Sequence, residues 1–222
     1  MKNTSDYFAQ VAEQWDEIRS GYFTERMRDA AIAQVEALPG TPLHANAIVA
    51  DVGTGTGFVA RGLAPKVGRV LGFDASPEML DVARRNLAAF SNVELRQWPG
   101  DHLPLPDDTL DAVFANMYLH HAPDPASAIK ELARVLRSPD PASGKPGGAL
   151  CITDLDPHDH EWQREQMADV WLGFERDDIH RWFAEAGLKD IDVDCAEGTC
   201  NACGPDGTVK PLTIFVAVGR KA

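Results

Sequence analysis

The chain has no run of about 18 consecutive apolar residues, the length a membrane-spanning helix requires, and its opening MKNTSDYFAQ holds no apolar signal core. Export and membrane insertion are therefore not expected, and the sequence reads as that of a cytoplasmic protein. Positive charge is scarce too. There are 21 Lys and Arg against 34 Asp and Glu, a formal net charge of −13. Such a field repels phosphate backbones and anionic bilayers, which sets aside nucleic acid and membrane surfaces as partners. Cysteine is sparse, with four in 222 residues. In a cytosolic setting these are expected as thiols or metal ligands rather than disulfides. The length suits one α/β domain with short additions, and a second full domain is not expected.

What the sequence does have is a glycine-rich junction at residues 47–57, AIVADVGTGTG. Residues 47–52 form a short, β-branched apolar run that includes Asp51 and predicts a buried parallel strand. Gly53, Gly55 and Gly57 then allow a sharp turn and a close backbone approach to a ligand, and a helix is predicted from Phe58 to Ala64. The third glycine falls four residues after the first, whereas a dinucleotide fingerprint would put it five on, at Phe58. A second apolar strand, residues 69–73, ends at Asp74, 21 residues after Gly53. A carboxylate at about that distance accepts hydrogen bonds from a ribose diol, so a nucleoside ligand is expected.

Four stretches, VADVGTGTG, LGFDASPEMLDVAR, GDHLPLPDDTLDAVFANMYLHH and ELARVLRSPDPASGKPGGALCITD, resemble in order the motifs of class I S-adenosylmethionine-dependent methyltransferases. The resemblance covers residues 8–153 and is strongest to the small-molecule branch that includes ubiquinone and menaquinone biosynthesis enzymes. The later HDHEWQREQMADVWLGF is similar to methyltransferase domains fused to metal-responsive repressors. The resemblance implies an α/β, Rossmann-like, seven-stranded sheet in the order 3-2-1-4-5-7-6, mostly parallel with the last strand antiparallel, and helices on both faces. It implies a single domain, with residues 1–45 as a helical cap, 46–155 as the cofactor-binding core, and 156–222 as a helical insertion followed by a hairpin. It also implies S-adenosylmethionine as cofactor. Asp51, Gly53, Thr54, Gly55 and Gly57 would hold it from the first loop, Asp74, Ala75 and Met79 from the second, and Asn116 from the end of the fourth strand. Asp101 would accept from the adenine amino group beside the His102 amide, and Trp15, Arg19 and Tyr22 would cap the ligand.

The remaining elements follow from local signals. Apolar residues at helical spacing predict two helices within residues 5–38, separated at Gly21. Ser76 and Pro77 mark a helix start, as does Pro125. Strands are predicted at residues 93–97, 110–115 and 149–154. Helices are predicted at 161–174 and 178–186. The last two strands are joined by a loop without a helix, so they should pair antiparallel.

Methyl transfer needs alignment and exclusion of water, and a base only when the acceptor loses a proton. His121 is the first candidate base and His120 the second. Met167, Trp171 and Phe174, spaced along one face of the predicted 161–174 helix, would with Trp162 form an acceptor wall. His158 and His160, with Asp154, Asp156 and Asp159, make a second polar cluster, readable as a solvated loop or as a substrate or metal site. Cys195, Cys200 and Cys203 crowd a predicted loop and could hold zinc or another soft ion. The leading expectation is a methyltransferase acting on a small-molecule acceptor. The alternatives are arsenite-type methylation by the late cysteines, or a cofactor- or metal-binding protein without catalysis. The oligomeric state does not follow from these features.

Overall fold

The computed structural model describes the backbone of residues 4–21, 23–40, 42–203 and 209–222, and the side chains of these except 5, 197–203, 209 and 210. Tyr22 lies outside the described residues, as do the side chains of Cys200 and Cys203.

Seven strands form one sheet: β1 (Ile48–Val52), β2 (Arg69–Asp74), β3 (Val93–Gln97), β4 (Ala112–Asn116), β5 (Ala149–Leu155), β6 (Leu188–Cys203) and β7 (Val209–Lys221). Their order is β3-β2-β1-β4-β5-β7-β6, as the resemblance implies. The first five strands pair in parallel, with Val49 opposite both Val70 and Ala112. β7 runs antiparallel to its neighbours, with Thr153 opposite Val216 and Cys195 opposite Phe215.

The helices are α1 (Thr4–Val11), α2 (Trp15–Ser20), α3 (Glu25–Glu36), α4 (Phe58–Leu63), α5 (Pro77–Asn86), α6 (Pro125–Arg134), α7 (Trp162–Gln166) and α8 (Arg176–Glu185). The first predicted helix is thus divided, with a 3-10 turn at Ala12–Gln14 between α1 and α2. Alternation along each strand sends successive side chains to opposite faces. Val49 joins a core built with α3, α4 and α5, while Ala50 and Val52 join one built with α6 and α8. The expected caps are present: Ser76 accepts from the Met79 amide and Asp124 from the Ser127 amide.

Two expectations are corrected. The helix predicted over residues 161–174 ends at Gln166, because Ala168 and Gly173 take positive φ of 60° and 79°. The late cysteines lie on β6, not on a loop; the pairing of β6 with β7 is interrupted by a bulge between Cys195 and Thr199.

Candidate active site

β1 is flanked by β2 on one side and β4 on the other, so the crevice beyond their carboxyl ends is where an open α/β sheet binds ligands. A cavity of about 540 Å³ lies there. Its floor is the glycine loop. The Gly53 and Thr54 amides both donate to the Phe73 carbonyl at 2.9 Å, which ties the loop to the end of β2. Asp51 is buried and accepts from the Thr54 hydroxyl at 2.7 Å and the Ala60 amide at 2.9 Å. Burial pushes its pKa up to about 6 against those two bonds.

Asp74 accepts from the Gly55 amide at 2.8 Å and the Ser76 amide at 2.9 Å, so one carboxylate joins the first loop to the second. Burial raises its pKa, opposed by these amides. The three glycines divide their work. Gly53 and Gly55 line the cavity, and a Cβ on Gly53 would stand 3.0 Å from the Tyr118 ring. Gly57 does not line it: a Cβ there would meet Leu87 Cδ1 at 2.5 Å, so this glycine lets α4 pack on α5. Thr54, Ala75, Met79, Asp101 and Asn116 also line the cavity. His102 does not; its ring stands 3.2 Å from Glu131 and its carbonyl accepts from the Trp98 indole.

The cap closes over this floor. Asp16 of α2 accepts from the Thr56 hydroxyl at 2.7 Å and from the Asn86 amide group at 3.0 Å. Trp15 and Arg19 line the cavity. Arg19 donates to the Phe23 carbonyl at 2.7 Å and lies 3.6 Å over the Phe58 ring, while its Nε is buried without a hydrogen-bond partner. Desolvation lowers its pKa.

The far wall carries the two histidines on a 3-10 turn, Leu119–His121. Asp154, fully buried at the end of β5, accepts from the Leu119 and His120 amides at 2.9 and 3.2 Å and contacts His120 Nδ1 at 2.7 Å. Burial opposes charge on His120, but Asp154 and Asp169 outweigh it and raise the ring to about 9. His121 goes the other way. Burial and the neighbouring His120 hold it well below its usual 6.5, against the Ala168 carbonyl, which lies 3.3 Å from Nδ1. Phe8 of α1 meets the His121 ring edge to face at 5.0 Å, so the cap reaches this wall too. Asp169 arrives through a loop whose Val170 and Trp171 amides both donate to the His120 carbonyl at 3.0 Å.

Met167 lines the cavity, but the other three residues of the predicted acceptor wall do not. Trp171 is 38% exposed, with its indole donating to the Ala122 carbonyl at 2.9 Å. Phe174 is buried against Trp182, and Trp162 stacks on His160. The second polar cluster divides: Asp154 serves His120 and Asp156 pairs with Arg176 at 2.8 Å, while His158 and buried His160 stay together, their rings 4.9 Å apart, with Asp159 3.8 Å from His160. Cys151 is buried and Cys195 contacts Arg176 at 3.0 Å; neither lines the cavity. Phe8, Asp16, Thr56 and Asp169 were not picked out as site residues from the sequence. Phe8 had only a helical apolar spacing, Thr56 and Asp169 lay inside quoted motifs without a role of their own, and Asp16 had no signal.

A parallel sheet with a reversed final hairpin, a glycine loop after β1 and a carboxylate ending β2 define a class I methyltransferase fold. The chain carries a methyltransferase domain: the family model described as "Methyltransferase domain" matches residues 50–140. It is similar to the chloroplastic 2-methyl-6-phytyl-1,4-hydroquinone methyltransferase 2 of Oryza sativa subsp. japonica, 34% identical over 179 residues, which are 78% of this chain and 47% of that one. It is also similar to the arsenite methyltransferase of Halobacterium salinarum, 31% identical over 156 residues, 65% of this chain and 38% of the relative. The chain thus spans about half the length, or less, of these relatives. In fold it matches a chain from the complex of a Haloferax volcanii methyltransferase with a methyltransferase activator, with a TM-score of 0.76, 23% identity, and coverage of 98% and 97% of the two chains. Among the described residues no helix is long and apolar enough to cross a membrane.

Proposed function

We propose that this chain transfers the methyl group of S-adenosylmethionine to a small, largely apolar acceptor carrying an aromatic hydroxyl, of the hydroquinone kind. The observation that carries this reading is one cavity that joins the glycine loop and Asp74 at one end to Met117, His121 and Met167 at the other. Its volume falls in the range of small-molecule sites.

The residues fit the cofactor. Gly53 and Gly55 leave room for close approach, Asp74 is a half-buried acceptor suited to a ribose diol, and Asp101, which lines the same cavity, would accept from the adenine amino group. Arg19, whose buried Nε makes no hydrogen bond and stands 3.7 Å from Asp16, lines the same cavity and is a match for the carboxylate of the amino-acid end. The bound cofactor supplies an electrophilic methyl on a sulfonium. The chain's own contribution is to hold the two ligands in line and dry. Phe8 and Trp15 close the cap over the cavity, and alignment of this kind supplies about 7–11 kcal/mol of a two-reactant barrier.

An acceptor hydroxyl has a proton to lose. In neutral His121, a proton on Nδ1 toward the Ala168 carbonyl leaves the lone pair on Nε2, a base at the acceptor wall. His120, held by Asp154, is a positioning residue behind it. The hydroquinone methyltransferase among the relatives supports this acceptor class, and the absence of Cys151 and Cys195 from the cavity speaks against metalloid chemistry by those thiols.

The test is transfer of labelled methyl from S-adenosylmethionine to a panel of alkylated hydroquinones and phenols. The wild-type protein should label at least one, and His121→Ala should lower turnover by about 10²–10⁴-fold. No transfer to any hydroxy-aromatic, with transfer to amines or to arsenite instead, would overturn the acceptor class.

A further inference from the structure

Asp169 is in an unusual position. Its side chain is only 3% exposed and it faces the cavity, yet among the described residues its carboxylate accepts no hydrogen bond. The nearest nitrogens are His120 Nε2 at 3.8 Å and His121 Nδ1 at 3.9 Å from Oδ1, beyond hydrogen-bond reach. A buried carboxylate without a hydrogen bond is costly, and two imidazoles and a carboxylate converging on one point are a familiar solution to a different problem.

We propose that His120, His121 and Asp169 bind a divalent transition-metal ion of the zinc or iron(II) kind at the acceptor end of the cavity, with its remaining positions open to the acceptor's oxygen. One ligand atom from each of the three residues lies within 4.8 Å of the other two. Two nitrogens and one oxygen suit such an ion, and three protein ligands with an open face distinguish a reactive site from a closed structural one. Bonds of about 2.0–2.1 Å imply donor–donor edges near 3.3 Å in a tetrahedral site. The two edges to Asp169, 3.8 and 3.9 Å, therefore close by about 0.5 Å, and the edge between the two histidines, within 4.8 Å, by at most about 1.5 Å, through side-chain rotation. The support behind the ligands is already built. Asp154 contacts His120 Nδ1 at 2.7 Å and leaves Nε2 toward Asp169, the carboxylate–imidazole arrangement that orients metal-binding histidines. His121 would exchange its long 3.3 Å contact with the Ala168 carbonyl for the ion. This site is separate from the late cysteines. It rests on the acceptor reading above, in that the ion would meet the acceptor's oxygen in place of a free imidazole.

The experiment uses the full chain, stripped with a chelator and titrated with Co²⁺ alone by visible absorption and with Zn²⁺ alone by calorimetry. One ion per chain is expected. Asp169→Asn, close to isosteric, should keep the melting temperature near wild type and weaken binding at least 10-fold, and Asp154→Asn should weaken it about 10–100-fold. A Cys195→Ser, Cys200→Ser, Cys203→Ser variant should bind as wild type does. Absence of binding, unchanged affinity in Asp169→Asn, or loss of binding only in the cysteine variant would each overturn the site. The two readings fail separately. Metal-free protein that methylates hydroxy-aromatics at full rate and is impaired by His121→Ala removes the ion and leaves the acceptor reading. An ion held by these three residues in a chain that labels no hydroxy-aromatic does the reverse.

Discussion

At the scale of single residues, the glycine loop separates two demands that its sequence presents as one. The G-T-G-T-G spacing announces backbone that must take positive φ, and all three glycines do. Spacing does not say which Cα faces a ligand and which faces a helix, so Gly57 read as part of the cradle and is a packing residue. Gly57→Ala puts a methyl group 2.5 Å from Leu87 at φ +86°, and is expected to destabilise the fold by about 1–3 kcal/mol. Thermal denaturation checks this, and Leu87→Ala in the same chain should recover only the steric part. Cofactor affinity of the folded protein should stay near wild type. A lost affinity with an unchanged melting temperature would put Gly57 back in the cradle. His102, whose backbone amide was expected beside the adenine, does not line the cavity, and its ring turns to Glu131.

At the scale of elements, strands and capped helices were legible because each carries a local signal. Ser76 with Pro77 and Asp124 with Pro125 start helices where expected. The segment after β5 was misread because Met167, Trp171 and Phe174 keep a helical spacing while the backbone does not. Gly173 was the available warning: a Cβ there would lie 2.2 Å from the Asp156 carbonyl. Trp171→Ala is accordingly expected to cost about 1 kcal/mol, the value of one indole hydrogen bond and partial burial, and not the roughly 3–5 kcal/mol of a core tryptophan. A melting-temperature drop of only a few degrees would bear this out, and outright unfolding would contradict it. The cap is the second element with a testable role. Asp16 holds α2 to the glycine loop and to α5 through Thr56 and Asn86, so Asp16→Ala should weaken S-adenosylmethionine binding about fivefold, one hydrogen bond's worth, with little change in melting temperature. Calorimetry that finds equal affinities would make the cap packing only.

At the scale of the whole molecule, the sheet order and the cofactor end of the cavity were legible from motifs that lie close in sequence to the strand ends they occupy. The acceptor end was not, because its geometry is made by residues far apart in the chain. His120 and His121 stood out as a pair, but Asp154 and Asp169 reach them only when β5 pairs with β4 and the loop after α7 folds back on the His120 carbonyl. The central claim is that the crevice above β1 and β2 binds S-adenosylmethionine with Asp74 as its ribose acceptor. The measurement that tests it most directly is a calorimetric titration of wild type and Asp74→Ala with S-adenosylmethionine. The account predicts one molecule bound per chain and a loss of roughly tenfold or more in affinity in the variant, since a hydrogen bond to a charged group is worth about 1.5–3 kcal/mol. No binding to the wild-type chain, or equal affinity in a folded Asp74→Ala, would contradict it.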